Sequence, residues 1–153
     1  METLPNANPT PTPAQTVRHV LLATDAGAAS ACAADAAIDM AAEQQAVLLI
    51  LSVVPPDRLP HLGHLHDPEA ARERRDRTIR DLARLAASRG VTAASVLWYG
   101  DPAEAILEAA RTQRADVVVL GSRKRTDLGR ILLGSVSSHV VEGATCPVVV
   151  VPA

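Results

Sequence analysis

Val-Leu-Leu-Ile-Leu-Ser-Val-Val, residues 47–54, is a nearly unbroken apolar run that ends at Pro55 and Pro56. A strand with one solvated face alternates apolar and polar residues, whereas a strand buried on both faces is apolar throughout. Strands buried on both faces are typical of parallel sheets that helices cover on each side. The run therefore predicts a strand inside a parallel sheet.

Four further short runs of aliphatic and β-branched residues flank this strand, at 17–24, 92–99, 116–120 and 148–151. Longer stretches with helical features separate the runs, at 28–45, 68–88, 102–113 and 135–142. The third begins with a capping pattern: Asp101 can cap the free amides, Pro102 suits the first helical position, and Glu104 can reach back toward the cap. Alternating strands and helices indicate βαβ units, whose crossovers are right-handed. We expect an α/β fold of Rossmann-like type: an open, doubly wound, five-stranded parallel sheet with helices on both faces.

Composition limits the size and the class of the protein. The chain has 153 residues, 48% of them hydrophobic, which suits one domain with a full core. Residues 1–16 are rich in Pro, Thr, Asn and Ala without an apolar period, and predict a disordered tail before a domain at 17–153. The formal charge of −2 argues against a nucleic-acid partner, which would need a basic face.

Location follows from what the sequence lacks. The N-terminus has no basic start followed by an apolar stretch, so no secretory signal is indicated. No apolar run approaches the roughly 20 residues of a membrane span. Cys32 and Cys146 have neither the number nor the spacing of a disulfide framework or a metal site. We expect a cytoplasmic protein with reduced cysteines and no membrane partner.

The segment after the fourth strand is the best candidate for a binding site, because ligands of open α/β sheets lie beyond the carboxyl ends of strands. Gly121 and Gly134 allow close approach of a phosphate, and Ser135 adds a hydroxyl at the start of the last helix. Three cationic residues, at 123–125, bring positive charge. Spacing alone leaves open that Gly121 is a strand-end turn and Gly134 only a helix cap.

Better-known nucleotide motifs are absent. Residues 129–135 have the glycine spacing of a P-loop, but no lysine precedes Ser135. No Gly-x-Gly-x-x-Gly follows the first strand, which argues against a dinucleotide-binding fingerprint.

Two groups of polar residues have simpler explanations. Three histidines of the proline-rich loop have spacings that could reach a metal, but only Asp67 could add a further ligand, so a solvated loop is favoured; they are His61, His64 and His66. The arginines of the second helix alternate with acidic residues, which predicts a solvated face and not a polyanion site. They are Arg72, Arg74, Arg75, Arg77 and Arg80.

From Val17 to Val151 the chain resembles the universal stress protein family, whose fold is adenine-nucleotide α-hydrolase-like. ATP-binding members carry Gly-x-x-Gly, nine residues, and then Gly-Ser or Gly-Thr. Gly121, Gly134 and Ser135 match this motif in register, whereas Lys124 replaces its second glycine. The stretches 20–25, 100–102 and 145–150 also resemble the family's sequence, although residues 25–27 are Asp-Ala-Gly where Asp-Gly-Ser is usual.

The resemblance implies a regulatory module of the stress response that binds ATP, with or without Mg²⁺, and forms a homodimer through its last strand. Asp25 and Val53 would hold the ribose and adenine. The implied phosphate-binding residues are Gly121, Ser122, Arg123, Lys124, Gly134, Ser135 and Val136. It implies no catalytic residue and no metal ligand from the protein. Two alternatives stay open: an interaction protein that has lost nucleotide binding, and a slow ATPase.

Overall fold

The computed structural model describes residues 16–56, 68–122, 124–125 and 131–153. Four helices lie among the described residues: α1 (Ala31–Gln44), α2 (Pro68–Ser88), α3 (Pro102–Thr112) and α4 (Ser135–Gly143). A single 3-10 turn, Ala28–Ser30, precedes α1. The strands are β1 (His19–Ala23), β2 (Val47–Val54), β3 (Ala93–Tyr99), β4 (Val117–Ser122), β5 (Lys124–Arg125), β6 (Ile131–Leu132) and β7 (Val148–Pro152).

Five strands form one parallel sheet in the order β3-β2-β1-β4-β7. This confirms the predicted doubly wound α/β fold, and each predicted sheet strand has its counterpart. Strands β5 and β6 form a separate antiparallel pair that the sequence did not predict, since two-residue strands carry no readable period. Most of the predicted tail, residues 1–16, lies outside the described residues, as does the loop with His61, His64 and His66.

The sheet buries both of its faces, as the apolar run of β2 indicates. On β1, Val20 and Leu22 join the core with α1 and α2, while Leu21 joins the core with α3 and α4. Successive side chains of a strand point to opposite faces, so a strand between two helical layers must be apolar at every position. The inner side of α1 consists largely of buried alanines beside Ile38, and these small side chains let the helix lie close to the sheet: Ala33, Ala34, Ala37 and Ala41.

The start of α3 follows the predicted capping pattern in one part and departs from it in another. Asp101 accepts a hydrogen bond from the amide of Glu104 at 3.1 Å, and Pro102 occupies the first helical position. The Glu104 carboxylate, expected to reach back toward the cap, instead lies 3.0 Å from Nε2 of His139 in α4. The pair links the two helices on this face of the sheet.

None of the helices in the described ranges is long and apolar enough to cross a membrane.

Candidate functional site

The site lies where β1 ends between two longer neighbours. The ladder partners of Ala23, the last residue of β1, are Leu51 on one side and Leu120 on the other. Strand β2 continues along β3 to Val54, and β4 continues along β7 to Ser122. A notch therefore opens beyond β1, with β2 and β4 as its walls. It is the topological switch point at which open α/β sheets bind ligands.

The peptide groups of Val53 face this notch. The Thr24 amide donates to the Leu51 carbonyl at 2.9 Å, and on the other edge of β2 the Gly100 amide donates to the Val54 carbonyl at 3.0 Å. In a parallel strand these hydrogen-bonding directions alternate from residue to residue. The N–H and C=O of Val53 are therefore turned to the β1 side, past the end of that strand.

A cavity of about 380 Å³ fills the notch, within the range of small-molecule sites. Its walls come from the ends of β1, β2 and β4, the turn after β1, α2, and the starts of α3 and α4. Six predicted site residues line it: Asp25, Val53, Gly121, Gly134, Ser135 and Val136.

Three other predicted residues have different places. Ser122 is buried, with 2% of its surface exposed, and is not among the lining residues. Arg123 lies outside the described residues. Lys124 lies in β5, where its backbone pairs with Leu132.

Asp25 is held by a tight turn at the mouth of the cavity. Its Oδ1 accepts hydrogen bonds from the Gly27 amide at 2.9 Å and from the Ser30 hydroxyl at 2.5 Å. The Thr24 hydroxyl oxygen accepts from the Ala26 amide at 3.1 Å. Ala26 has a φ of 63°, a left-handed conformation that L residues other than Asn and Asp rarely adopt. The turn thus fixes the carboxylate at the cost of backbone strain.

The start of α4 offers free peptide donors to the cavity. Gly134 is the N-cap, and it has no side chain to accept from the first amides of the helix. A Cβ built on Gly134 meets nothing within 4 Å, and its φ of −72° suits any residue. The fold therefore does not require a glycine here. A capping side chain would stabilise the helix, so glycine leaves the partially positive helix end open to an anion.

The space around Gly121 would also accept a side chain. A Cβ on Gly121 would lie 3.7 Å from atoms of Ala29, Ser30 and Ala33, which is ordinary van der Waals contact. Space inside the fold thus does not require glycine at position 121 or at position 134.

Sequence reasoning missed one charged residue of the cavity, Arg75. The predicted solvated arginine face is wrong at this position: Arg75 is half-buried and lines the cavity. Its Nη1 donates to the hydroxyl of Ser52 at 3.2 Å, and Ser52 is completely buried. Burial of the guanidinium lowers the pKa of Arg75, and the charge of Arg74 lowers it further. The available signal was Ser52, the one polar residue in the apolar run 47–54.

Within the described ranges, no three His, Cys, Asp or Glu side chains come close enough together to hold a metal ion. His139 pairs with Glu104 and does not line the cavity.

Comparison with known proteins gives a consistent result. The model of the universal stress protein family matches residues 16–152. The chain is 34% identical over 143 residues to universal stress protein YxiE of Bacillus subtilis, covering 86% of this chain and 97% of that protein. It is 37% identical over 136 residues to a universal stress protein of Thermus aquaticus, covering 88% of this chain and 98% of that protein.

Solved structures share the fold. Universal stress protein UspA from Lactobacillus plantarum superposes with a TM-score of 0.72 at 26% identity, over 88% of this chain and 97% of that one. A universal stress protein in complex with cAMP superposes with a TM-score of 0.67, also at 26% identity, over 90% of this chain and 98% of that one.

Proposed function

The chain belongs to the universal stress protein family, and from this premise we propose that it is a regulatory module that binds ATP in the notch beyond β1. The observation that carries the proposal is the convergence on one cavity of the Val53 peptide edge, the Asp25 carboxylate and the uncapped start of α4. A relative of the same fold has been solved with cAMP, an adenine nucleotide.

The groups around the cavity match the parts of a nucleotide. The N–H and C=O of Val53 offer one donor and one acceptor, as an adenine edge requires. The carboxylate of Asp25 accepts hydrogen bonds and suits ribose hydroxyls. Ser135 and the first amides of α4 suit phosphate oxygens. Mg²⁺ would accompany ATP on its phosphates, because this ion is usually bound by substrate phosphates and few protein ligands.

We propose binding without catalysis. A general base must lie within hydrogen-bond reach of the water or hydroxyl that it activates. Asp25, the one carboxylate among the described lining residues, already accepts from Gly27 and Ser30. The slow ATPase thus remains the less favoured alternative, and phosphate release above that of a binding-deficient variant would support it.

A homodimer through β7 is part of the proposal, in a cytoplasmic protein. Strand β7 is an edge of the sheet, and its five residues are all partly exposed. The outer edge of such a strand presents N–H and C=O groups that can pair with another chain.

A second candidate is an interaction module of the same family that does not bind nucleotide. Lys124 favours it, because a side chain stands where the family motif has its second glycine. Under this alternative the wild type shows no thermal shift with millimolar ATP and Mg²⁺, whereas Lys124→Gly gains one.

The pair Gly134→Asp and Gly134→Asn tests the ATP proposal. Both side chains can cap α4 in the open space at this position, so neither should lower the unfolding midpoint. The two side chains have nearly the same shape, but Asp carries a negative charge and Asn is neutral. A carboxylate near a phosphate costs on the order of 4 kcal/mol at 4 Å in partly screened surroundings, which is a loss of several hundredfold or more.

We therefore expect calorimetry with ATP to show at least a tenfold greater loss for Gly134→Asp than for Gly134→Asn. Equal affinities of the two variants for ATP would show that the phosphates do not lie beside residue 134.

A further inference from the structure

The cavity has a positively charged side chain on the wall opposite α4. Arg75 reaches it from α2 beside the end of β2, where it donates to Ser52. Gly121 lies in β4, and Gly134 is the N-cap of α4, which packs on β4 and β7. Strand β1 separates the two walls, so β2 and β4 are roughly 10 Å apart at a spacing of about 4.8 Å per strand. A single small ligand can span this distance.

Arg75 differs in its partners from three other arginines of α2. These three pair with a carboxylate one helical turn away: Arg72 with Glu69 at 3.1 Å, Arg80 with Asp76 at 3.0 Å, and Arg84 with Asp81 at 2.9 Å. The residues one turn from Arg75, at 71, 72, 78 and 79, are Ala, Arg, Thr and Ile. Among the described residues, its charge has a serine hydroxyl as its partner and no carboxylate.

A half-buried cation that has no carboxylate partner in the described part of the chain limits which groups can bind beside it. A neutral group that covered the guanidinium would remove its water and supply no compensating charge, which is costly. An anion would form charge-assisted hydrogen bonds, and the planar fork of a guanidinium matches phosphate in two bonds at once. The chemistry of this wall thus favours an anionic part of the ligand.

We infer that Arg75 contacts a phosphate group of the bound ligand and makes the cavity selective for phosphorylated over neutral adenosine compounds. This inference rests on the proposed function, and it adds a contact that the glycine motif does not contain. Arg75 and the start of α4 then hold the phosphates from opposite sides. Part of the phosphate affinity would come from α2, independently of the residue at position 124.

Calorimetric titration of the full chain tests the inference with three probes: ATP, adenosine and inorganic tripolyphosphate. Arg75→Met removes the charge and keeps an apolar stem of similar length. Arg74→Met is the matched control, because Arg74 is an exposed neighbour on the same helix and does not line the cavity. Arg75→Gln carries the same prediction if Arg75→Met does not fold, since its amide can still donate to Ser52.

We expect Arg75→Met to weaken ATP binding by roughly 10- to 100-fold, the loss of one charge-assisted contact. Adenosine binding should change less than about twofold, and Arg74→Met should change ATP binding less than about threefold, as expected of an exposed charge. Equal losses for adenosine and ATP would show that Arg75 contacts the base, and would overturn the inference. Unchanged ATP binding would overturn it as well.

Tripolyphosphate separates the two proposals. If the wild type binds tripolyphosphate as tightly as ATP and does not bind adenosine, the adenine-nucleotide function fails. The role of Arg75 is then tested with tripolyphosphate alone. Weaker tripolyphosphate binding by Arg75→Met supports the phosphate contact, and unchanged binding overturns it. A wild type that binds neither ATP nor tripolyphosphate overturns both proposals.

Discussion

Replacing Ala26 by glycine should stabilise the fold, because Ala26 occupies a conformation that suits glycine better. Ala26 stands between Asp25 and Gly27 in the turn beside the cavity, and its φ of 63° lies in the left-handed region. This conformation costs an L residue about 1–2 kcal/mol. Glycine relieves that strain but adds about 0.4–1 kcal/mol of conformational entropy to the unfolded chain. We expect Ala26→Gly to raise the free energy of unfolding by about 0.5–1 kcal/mol.

Urea unfolding followed by circular dichroism measures this gain, provided that the denaturant dependence is the same in both proteins. The matched control is Ala42→Gly, an exposed alanine in α1 that should lose about 1 kcal/mol. ATP affinity should stay as in the wild type, because the hydrogen bonds to Asp25 come from Gly27 and Ser30. A loss of stability in Ala26→Gly equal to that of Ala42→Gly would refute the left-handed turn.

Two further predictions concern hydrogen bonds that end on carboxylates. Asp101→Ala removes the cap of α3 and should cost about 1 kcal/mol in urea unfolding, whereas Asp101→Asn should retain most of it; equal losses would contradict the capping role. Hydrogen bonds from the amides of Arg18 and His19 hold the pKa of Asp116 below its usual value. The ionised carboxylate therefore stabilises the fold fully above its unfolded pKa of about 3.9, and this stabilisation is lost as the pH falls through the folded pKa. Asp116→Asn should cost at most about 1 kcal/mol at pH 7, because the side chain is 40% exposed, and a deficit that did not shrink at pH 3 would contradict this assignment.

Most of the fold was predictable because buried strands and helix starts require particular residue types, which can be recognised in the sequence. The apolar run of β2 requires cover on both faces, and Asp101-Pro102 marks the start of α3. Strands β5 and β6 are too short to show a period. The predicted partner of the Glu104 carboxylate was wrong, because the carboxylate pairs with His139 of α4 and sequence spacing does not show a partner from another helix.

The candidate site was predictable only in part. Strand ends and the motif matches placed Asp25, Val53, Gly134 and neighbouring residues at one edge of the sheet, and the structure brings them to one cavity. Arg75 could not be chosen from five arginines within nine residues, since helical spacing does not show which side chain reaches the end of β2. Its position depends on how α2 packs on the sheet, and that depends on tertiary contacts of Ile79 and Ala86 with the core.

A crystal structure of the full chain grown with ATP and Mg²⁺ tests the central claim most directly. The account predicts electron density for one nucleotide in the notch beyond β1, with adenine against the backbone of Val53 and phosphates at Gly134 and Ser135. A nucleotide bound outside the notch, or a notch without ligand density at saturating ATP, would contradict it.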